Sequence, residues 1–410
     1  MLPVGTGQHG VSVVVQVHRR KVFYIPGYDP IHPRRYRELY RKEGADQARI
    51  SGYDLTLKPG GGGGNYGWQV DTVIDGAPTH ADFEVLVWSD IVRGSMDQGI
   101  VATYGQLIRT AWAYIGSGAL FRLMRLRKGP MIAALYPIVF LLVQLALALM
   151  VARGVGAVLA MTGVPFIGWL GLIVVWPILT WFKRQDGRFF AYYLMHDYAY
   201  SASSRGANPP ALEARMTEFG AQIRASLDAG YDEVLVVGHS SGAHLGVSIL
   251  ADLLRGGVDG QGARLSFLSL GQVVPMVSFL PDAHRLRRDL HDLSRQTVLP
   301  WVDVTAPGDG CAFALCDPVA VSGVAPVDQV GPLVISAAFT QTLSPERWAE
   351  LRWRFFRLHF QYLCAFDRPG DYDYFQITGG PMTLSERFAN RAPTPSRITK
   401  PVNRFTEMAP

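Results

Sequence analysis

The sequence predicts an α/β protein: a sheet with helices on both faces, plus an inserted two-helix transmembrane hairpin. Three observations predict it. Short β-branched and aromatic runs recur between helical stretches through most of the 410 residues. One of them, Glu233 to Val237, runs through Gly238-His239-Ser240-Ser241-Gly242 into an apolar helix, Ala243 to Leu254. From Met131 to Phe182 the only charged residue is Arg153.

Composition narrows the function classes. Hydrophobic residues make up 49% and charged residues only 18%, which points to a membrane segment. The net charge of +5 is mild for this length and no long Lys/Arg tract is present, which argues against nucleic acid. Three cysteines, Cys311, Cys316 and Cys364, show no metal-type pairing with histidine, and a reduced compartment is expected. Met1 to Gly10 does not read as a secretory signal.

In chain order, Val11 to Val17 and Lys21 to Ile25 read as strands, the second ending in Pro26-Gly27-Tyr28-Asp29-Pro30. Pro33 to Glu43 reads as a helix. Arg49 to Leu57 and Tyr66 to Ile74 read as a hairpin around the Gly-rich tip Lys58 to Asn65. That tip lacks the Gly-Lys-Ser/Thr ending of a phosphate loop. Phe83 to Trp88 is a further strand. Leu107 to Leu126, with Trp112, Tyr114, Phe121 and Arg109, Arg122, Arg125, reads as an interfacial amphipathic helix.

Met131 to Val151 is long enough to span a bilayer, and a second span ends at Phe182 (about 160–182). The turn is expected at Arg153-Gly154-Val155-Gly156. Arg122, Arg125, Arg127 and Lys128 flank one side and Lys183, Arg184 and Arg188 the other, so both ends should be cytoplasmic. Asn208-Pro209-Pro210 reads as a helix start with Asn as cap. Leu265 to Leu270, Pro300 to Val304 and Leu333 to Phe339 are strands, and Pro281 to Arg295 is a helix. Ser344-Pro345-Glu346 opens a final helix carrying Arg352, Arg354, Arg357 and His359. Residues 391–410 read as an irregular tail. The organisation is then 1–104, early strands; 105–200, membrane insertion; 201–390, main domain.

Gly238 to Gly242 carries the chemistry. A serine on so sharp a strand-to-helix turn needs small neighbours two residues away on either side, and both are Gly. This stretch resembles the nucleophile elbow of the α/β-hydrolase superfamily. The resemblance implies Ser240 as nucleophile. It also implies an oxyanion hole from the backbone N–H groups of Tyr28 and Ser241, and the order Ser, acid, His. His359 alone follows the strand expected to carry the acid, so it is the candidate base. The resembling enzymes carry that histidine on the loop after the last strand, whereas here it falls late in an expected helix. Asp309, in Pro307-Gly-Asp-Gly310 just past Trp301 to Val304, is the candidate acid, with Asp317 as the alternative. The expected function is a membrane-anchored serine hydrolase, esterase- or lipase-like, acting on an acyl ester drawn from the bilayer. No metal or organic cofactor is implied. An acyltransferase with the same triad, and a non-catalytic interaction protein on this scaffold, remain open.

Overall fold

Seven consecutive residues, Glu233–His239, are all buried. They form β5, which has strands on both edges and helices on both faces. This computed structural model describes residues 16–60, 65–96, 98–258 and 262–409. Most of the expected strand Val11 to Val17 lies outside those residues, as does the Gly-rich tip at 61–64. Val17 itself is buried and donates its N–H to Pro381 O at 2.8 Å.

The eight strands are β1 (Arg19–Ile25), β2 (Asp54–Pro59), β3 (Gly67–Ile74), β4 (Ala77–Val85), β5 (Glu233–His239), β6 (Arg264–Leu270), β7 (Trp301–Thr305) and β8 (Leu333–Ser336). Their order is β2-β3-β4-β1-β5-β6-β7-β8. β4, β1 and β5 to β8 run parallel; only β2-β3-β4 is antiparallel. Alternate residues feed two cores: Tyr24, Val237 and Leu268 on one face, Phe23, Val236 and Phe267 on the other. Helices Pro210–Leu227, Ser241–Arg255 and His284–Ser294 cover the second face. Helix Arg34–Ser51 and the segments after β8 cover the first.

β1 lies between β4 and β5; the helix after β1 packs on one face of the sheet and the helix after β5 on the other. This creates a crevice at the carboxyl edge of the sheet.

Between β4 and β5 lies the apolar insertion. Helix Lys128–Ala160 is followed by a 3₁₀ segment, Ile167–Val174, and helix Val175–Arg184. Two helical stretches, Lys128–Ala160 and Ile167–Arg184, are long and apolar enough to cross a membrane. Only 28% and 11% of their apolar windows are buried within the chain, whereas a core helix would be mostly buried. The expected turn at Arg153 to Gly156 is wrong. The first helix continues to Ala160 and the reversal falls at 161–166. The glycines serve close packing instead: a Cβ on Gly156 would meet Gly168 O at 2.5 Å, and one on Gly171 would meet Ala152 O at 2.3 Å.

Three more readings need correction. Leu107 to Leu126 is not one helix. It is Ile100–Ala111, a π turn Trp112–Gly116, and Ala119–Leu126, broken where Gly118 takes φ 74°. Asn208 does not cap helix Pro210–Leu227; its amide donates to Glu213 Oε1 at 2.9 Å. The final helix stops at Leu351, although Ser344 does cap it, and His359 sits on a separate turn, Phe355–His359.

One buried ion pair ties the sheet to the chain's end. Arg20 Nε meets Glu233 Oε2 at 2.7 Å, with both side chains fully buried. Glu233 Oε1 also accepts from Ser266 Oγ at 2.7 Å and Leu384 N at 2.8 Å. Glu233→Ala would strand the Arg20 charge, at a cost of about 3–5 kcal/mol. Denaturant unfolding of the detergent-solubilised chain measures it; a loss of under about 1 kcal/mol would refute this anchoring.

Candidate functional site

Ser240 lies between β5 and helix Ser241–Arg255 with φ 56° and ψ −120°. A non-glycine residue there carries strain of about 1–3 kcal/mol. The neighbours explain how it persists. A Cβ on Gly238 would sit 2.7 Å from Gly242 O, and one on Gly242 would sit 2.1 Å from Ile25 O. Only glycine fits either place, so the motif's spacing follows from how closely the start of the helix packs against Gly238 and against the end of β1. The turn leaves Ser240 at the crevice, with the first N–H groups of a 15-residue helix behind it.

The loop after β1 touches the serine. A Cβ on Gly27 would come within 2.9 Å of Ser240 Cβ. Trp88 Nε1 donates to Pro26 O at 3.0 Å, and the Tyr193 hydroxyl donates to Tyr28 O, which fixes this loop. Tyr28 and Ser241 therefore flank Ser240 from two different elements.

Asp309 follows β7. Its Oδ2 accepts from His359 Nδ1 at 2.7 Å and from the Tyr362 hydroxyl at 3.0 Å, and its Oδ1 accepts from Cys311 N at 2.8 Å. Burial alone would raise this carboxyl. The adjoining His359 and these hydrogen bonds outweigh it and hold the group below the ordinary carboxylate range. With Nδ1–H donated to Asp309, the His359 nitrogen left to accept a proton is Nε2. Ser240, His359, Tyr28 and Ser241 all line one pocket.

Asp317 is elsewhere in role. It caps the turn Pro318–Val321, accepting from Val319 N and Ala320 N at 3.0 Å each, and from Gln329 Nε2 at 3.0 Å. Among the described residues, no histidine is bonded to its carboxylate.

No family model, curated protein or solved structure matches this chain. The site must therefore be read from its own geometry.

That geometry contains residues the sequence did not single out. His239, beside the serine, is clamped: Nε2 bonds His359 O at 3.0 Å and Nδ1 bonds the Tyr24 hydroxyl at 3.3 Å. Burial pushes it down to about 3, so it is neutral at physiological pH. It holds the backbone of His359 rather than taking part as a base. Tyr362, three residues beyond His359, steadies Asp309. The sequence signal for His239 was its position inside the elbow; nothing local marked Tyr362. Asp309, Cys311 and His359 also place donor atoms within 4.8 Å of one another, a spacing a cation could use. The Asp309–His359 hydrogen bond already occupies the facing atoms, and burial raises the Cys311 thiol well above its usual value. A metal would have to displace that proton and create a thiolate against burial.

The two aspartates differ in sign. Asp309 is depressed below its ordinary 3.8, so its stabilising contribution is complete above about pH 4 and is lost as pH falls through the lower folded value. Asp317 is raised, chiefly by burial, so its contribution declines as pH rises through its folded value. Asp309→Asn should therefore flatten the acid-side loss of stability, and Asp317→Asn should not. Unfolding midpoints followed from pH 6 down to about pH 2 test this; the opposite ranking would transfer the linkage to Asp317.

Proposed function

We propose that the chain is a membrane-anchored serine hydrolase of the α/β-hydrolase type, cleaving an acyl ester of a lipid. The observation that carries this reading is the pairing of a strained Ser240 with a histidine–carboxylate pair lining the same pocket. Ser240 Oγ attacks the acyl carbonyl while His359 Nε2 takes its proton. The carbonyl oxygen becomes an oxyanion held by the N–H groups of Tyr28 and Ser241. The C–O bond then breaks, and the imidazolium returns the proton to the leaving alcohol. Water repeats the sequence on the acyl-serine and releases the acid. Asp309 keeps the imidazole in the productive tautomer throughout.

Placement of the pocket supports a lipid substrate. Pro130, in the first turn of the long apolar helix, forms part of the pocket wall. A Cβ on Gly129 would sit 3.1 Å from Gly310 O, beside Asp309. Arg127 Nε donates to Ala314 O at 2.7 Å. An ester at the bilayer surface would thus reach the serine without crossing much water. A 33-residue helix is about 50 Å long, more than the roughly 30 Å of a hydrocarbon core. Arg153 lies about 37 Å along it from Lys128, so its exposed side chain falls at the far interface.

The basic flanks place both ends of the hairpin, and the sheet with them, in the cytoplasm. A reporter fused after Pro410 should be active on the cytoplasmic side only; activity on the far side would overturn this topology. A fluorophosphonate probe should label Ser240 in the full-length protein, and Ser240→Ala should abolish it. His359→Ala should remove fast labelling, and Asp309→Asn should cut ester turnover on the order of thousands-fold. A folded His359→Ala variant that labels at the wild-type rate would remove His359 from the mechanism.

A further inference from the structure

Helix Ala191–Ser203 presents Leu194, Asp197, Tyr198 and Ser201 to the pocket, the i, i+3, i+4, i+7 stripe of one face. His244, one turn into the helix behind Ser240, lines the same pocket. Four polar groups on this wall are uncommitted. His244 is 9% exposed, and its Nδ1 has no hydrogen-bond partner. Among the described residues, the Asp197 carboxyl and the hydroxyls of Tyr198 and Ser201 likewise have none. Burial pushes Asp197 up to about 7 against the opposing pull of His359, and burial pushes His244 down to about 4. The His244 nitrogen is buried without a partner, and the half-buried Asp197, Tyr198 and Ser201 face the pocket beside it, so a bound ligand would meet polar groups still able to bond.

The chemistry of that something is constrained. No Lys or Arg is among the described residues lining the pocket. A phosphate or carboxylate would meet Asp197 with no cation to balance it. A quaternary ammonium has no N–H, and would leave Tyr198, Ser201 and His244 unpaired. A plain alkyl alcohol would leave nearly the whole set unpaired. A hydroxyl both donates and accepts, and a mixed wall of carboxyl, imidazole and hydroxyls matches several of them at once. Resting on the hydrolase reading, we infer that this wall binds the alcohol half of the substrate, and that this half is an uncharged polyol such as a glycerol or sugar bearing free hydroxyls. The apolar part of the pocket, with Val273, Met276 and Val277, receives chain.

Ether lipids test this apart from turnover, because they have no ester to cleave. The full-length protein is kept in a detergent without a sugar head group. It is titrated with 1-O-alkylglycerol, the matched alkyl methyl ether, alkyl phosphate and alkyl trimethylammonium, and binding is read from the rise in unfolding midpoint. The alkylglycerol should bind at least about tenfold tighter than the methyl ether. Asp197→Asn and Ser201→Ala should each narrow that gap. The wild-type series decides by itself if a variant folds poorly. Tighter binding of the phosphate or the ammonium, or no distinction between glycerol and methyl ethers, would overturn the inference. A glycerol preference in a protein whose Ser240 never labels would sink the hydrolase reading alone. Labelling without the preference would sink this inference alone.

Discussion

The close approach of Gly242 to Ile25 is the constraint on which the rest depends. β1 and β5 pair in parallel register, Ile25 opposite Gly238, so the helix after β5 must start against the end of β1. With a Cβ on Gly242 only 2.1 Å from Ile25 O, the helix would have to move away. Moving it would relax the φ of 56° at Ser240 and withdraw the helix N-terminus from the crevice. The strain of the serine is thus set by the spacing of two core strands. The cost of about 1–3 kcal/mol is small against what a buried parallel ladder and its helices contribute.

The same reasoning accounts for the histidine. On sequence order His359 fell late in a helix, a poor place for a mobile side chain. The chain avoids this by ending the helix at Leu351 and restarting at Phe355, which sets His359 beside the ends of β5, β6 and β7. Its position is then fixed from three sides. His239 holds its carbonyl, Asp309 its ring, and a Cβ on Gly271 would lie 3.1 Å from its Cε1. A neutral His239 suits this duty. The ring centroids lie 4.9 Å apart, and after burial the nearness of His359 is the next cause that keeps His239 neutral.

Legibility in the sequence followed the range of the physics involved. The strands flanking the elbow, β5 and β6, were readable because buried parallel strands are nearly continuous apolar runs. The Asp309–His359 contact was approachable only through chain order, since 50 residues separate the partners. The break after Leu351 was not readable, because no Gly or Pro between Leu351 and Phe360 marks it. The hairpin turn was misplaced for a related reason. Glycine marks both turns and close helix contacts, and sequence alone does not tell which; Gly156, against Gly168, is a contact. The pocket wall on helix Ala191–Ser203 lies in a tyrosine-rich stretch whose apolar and polar residues show no single function locally. Its polar stripe emerges once the face turned toward Ser240 is known.

That wall belongs to the segment that leaves the apolar hairpin, while Pro130 and Gly129 belong to the segment that enters it. Both ends of the insertion therefore close around the crevice, and on the proposed reading the hairpin is more than a tether. A tether could be attached anywhere on the surface. This one supplies two sides of the pocket and packs against the loop that carries Asp309. On the proposed reading, a lipid's acyl chain and its head group then face different surroundings by construction. The chain lies near the root of helix Lys128–Ala160 and the apolar residues around Met276. The hydroxyls lie toward Asp197, Ser201 and His244. On that reading the insertion contributes part of the substrate-binding wall, whereas the reacting groups come from the segments at the sheet's edge.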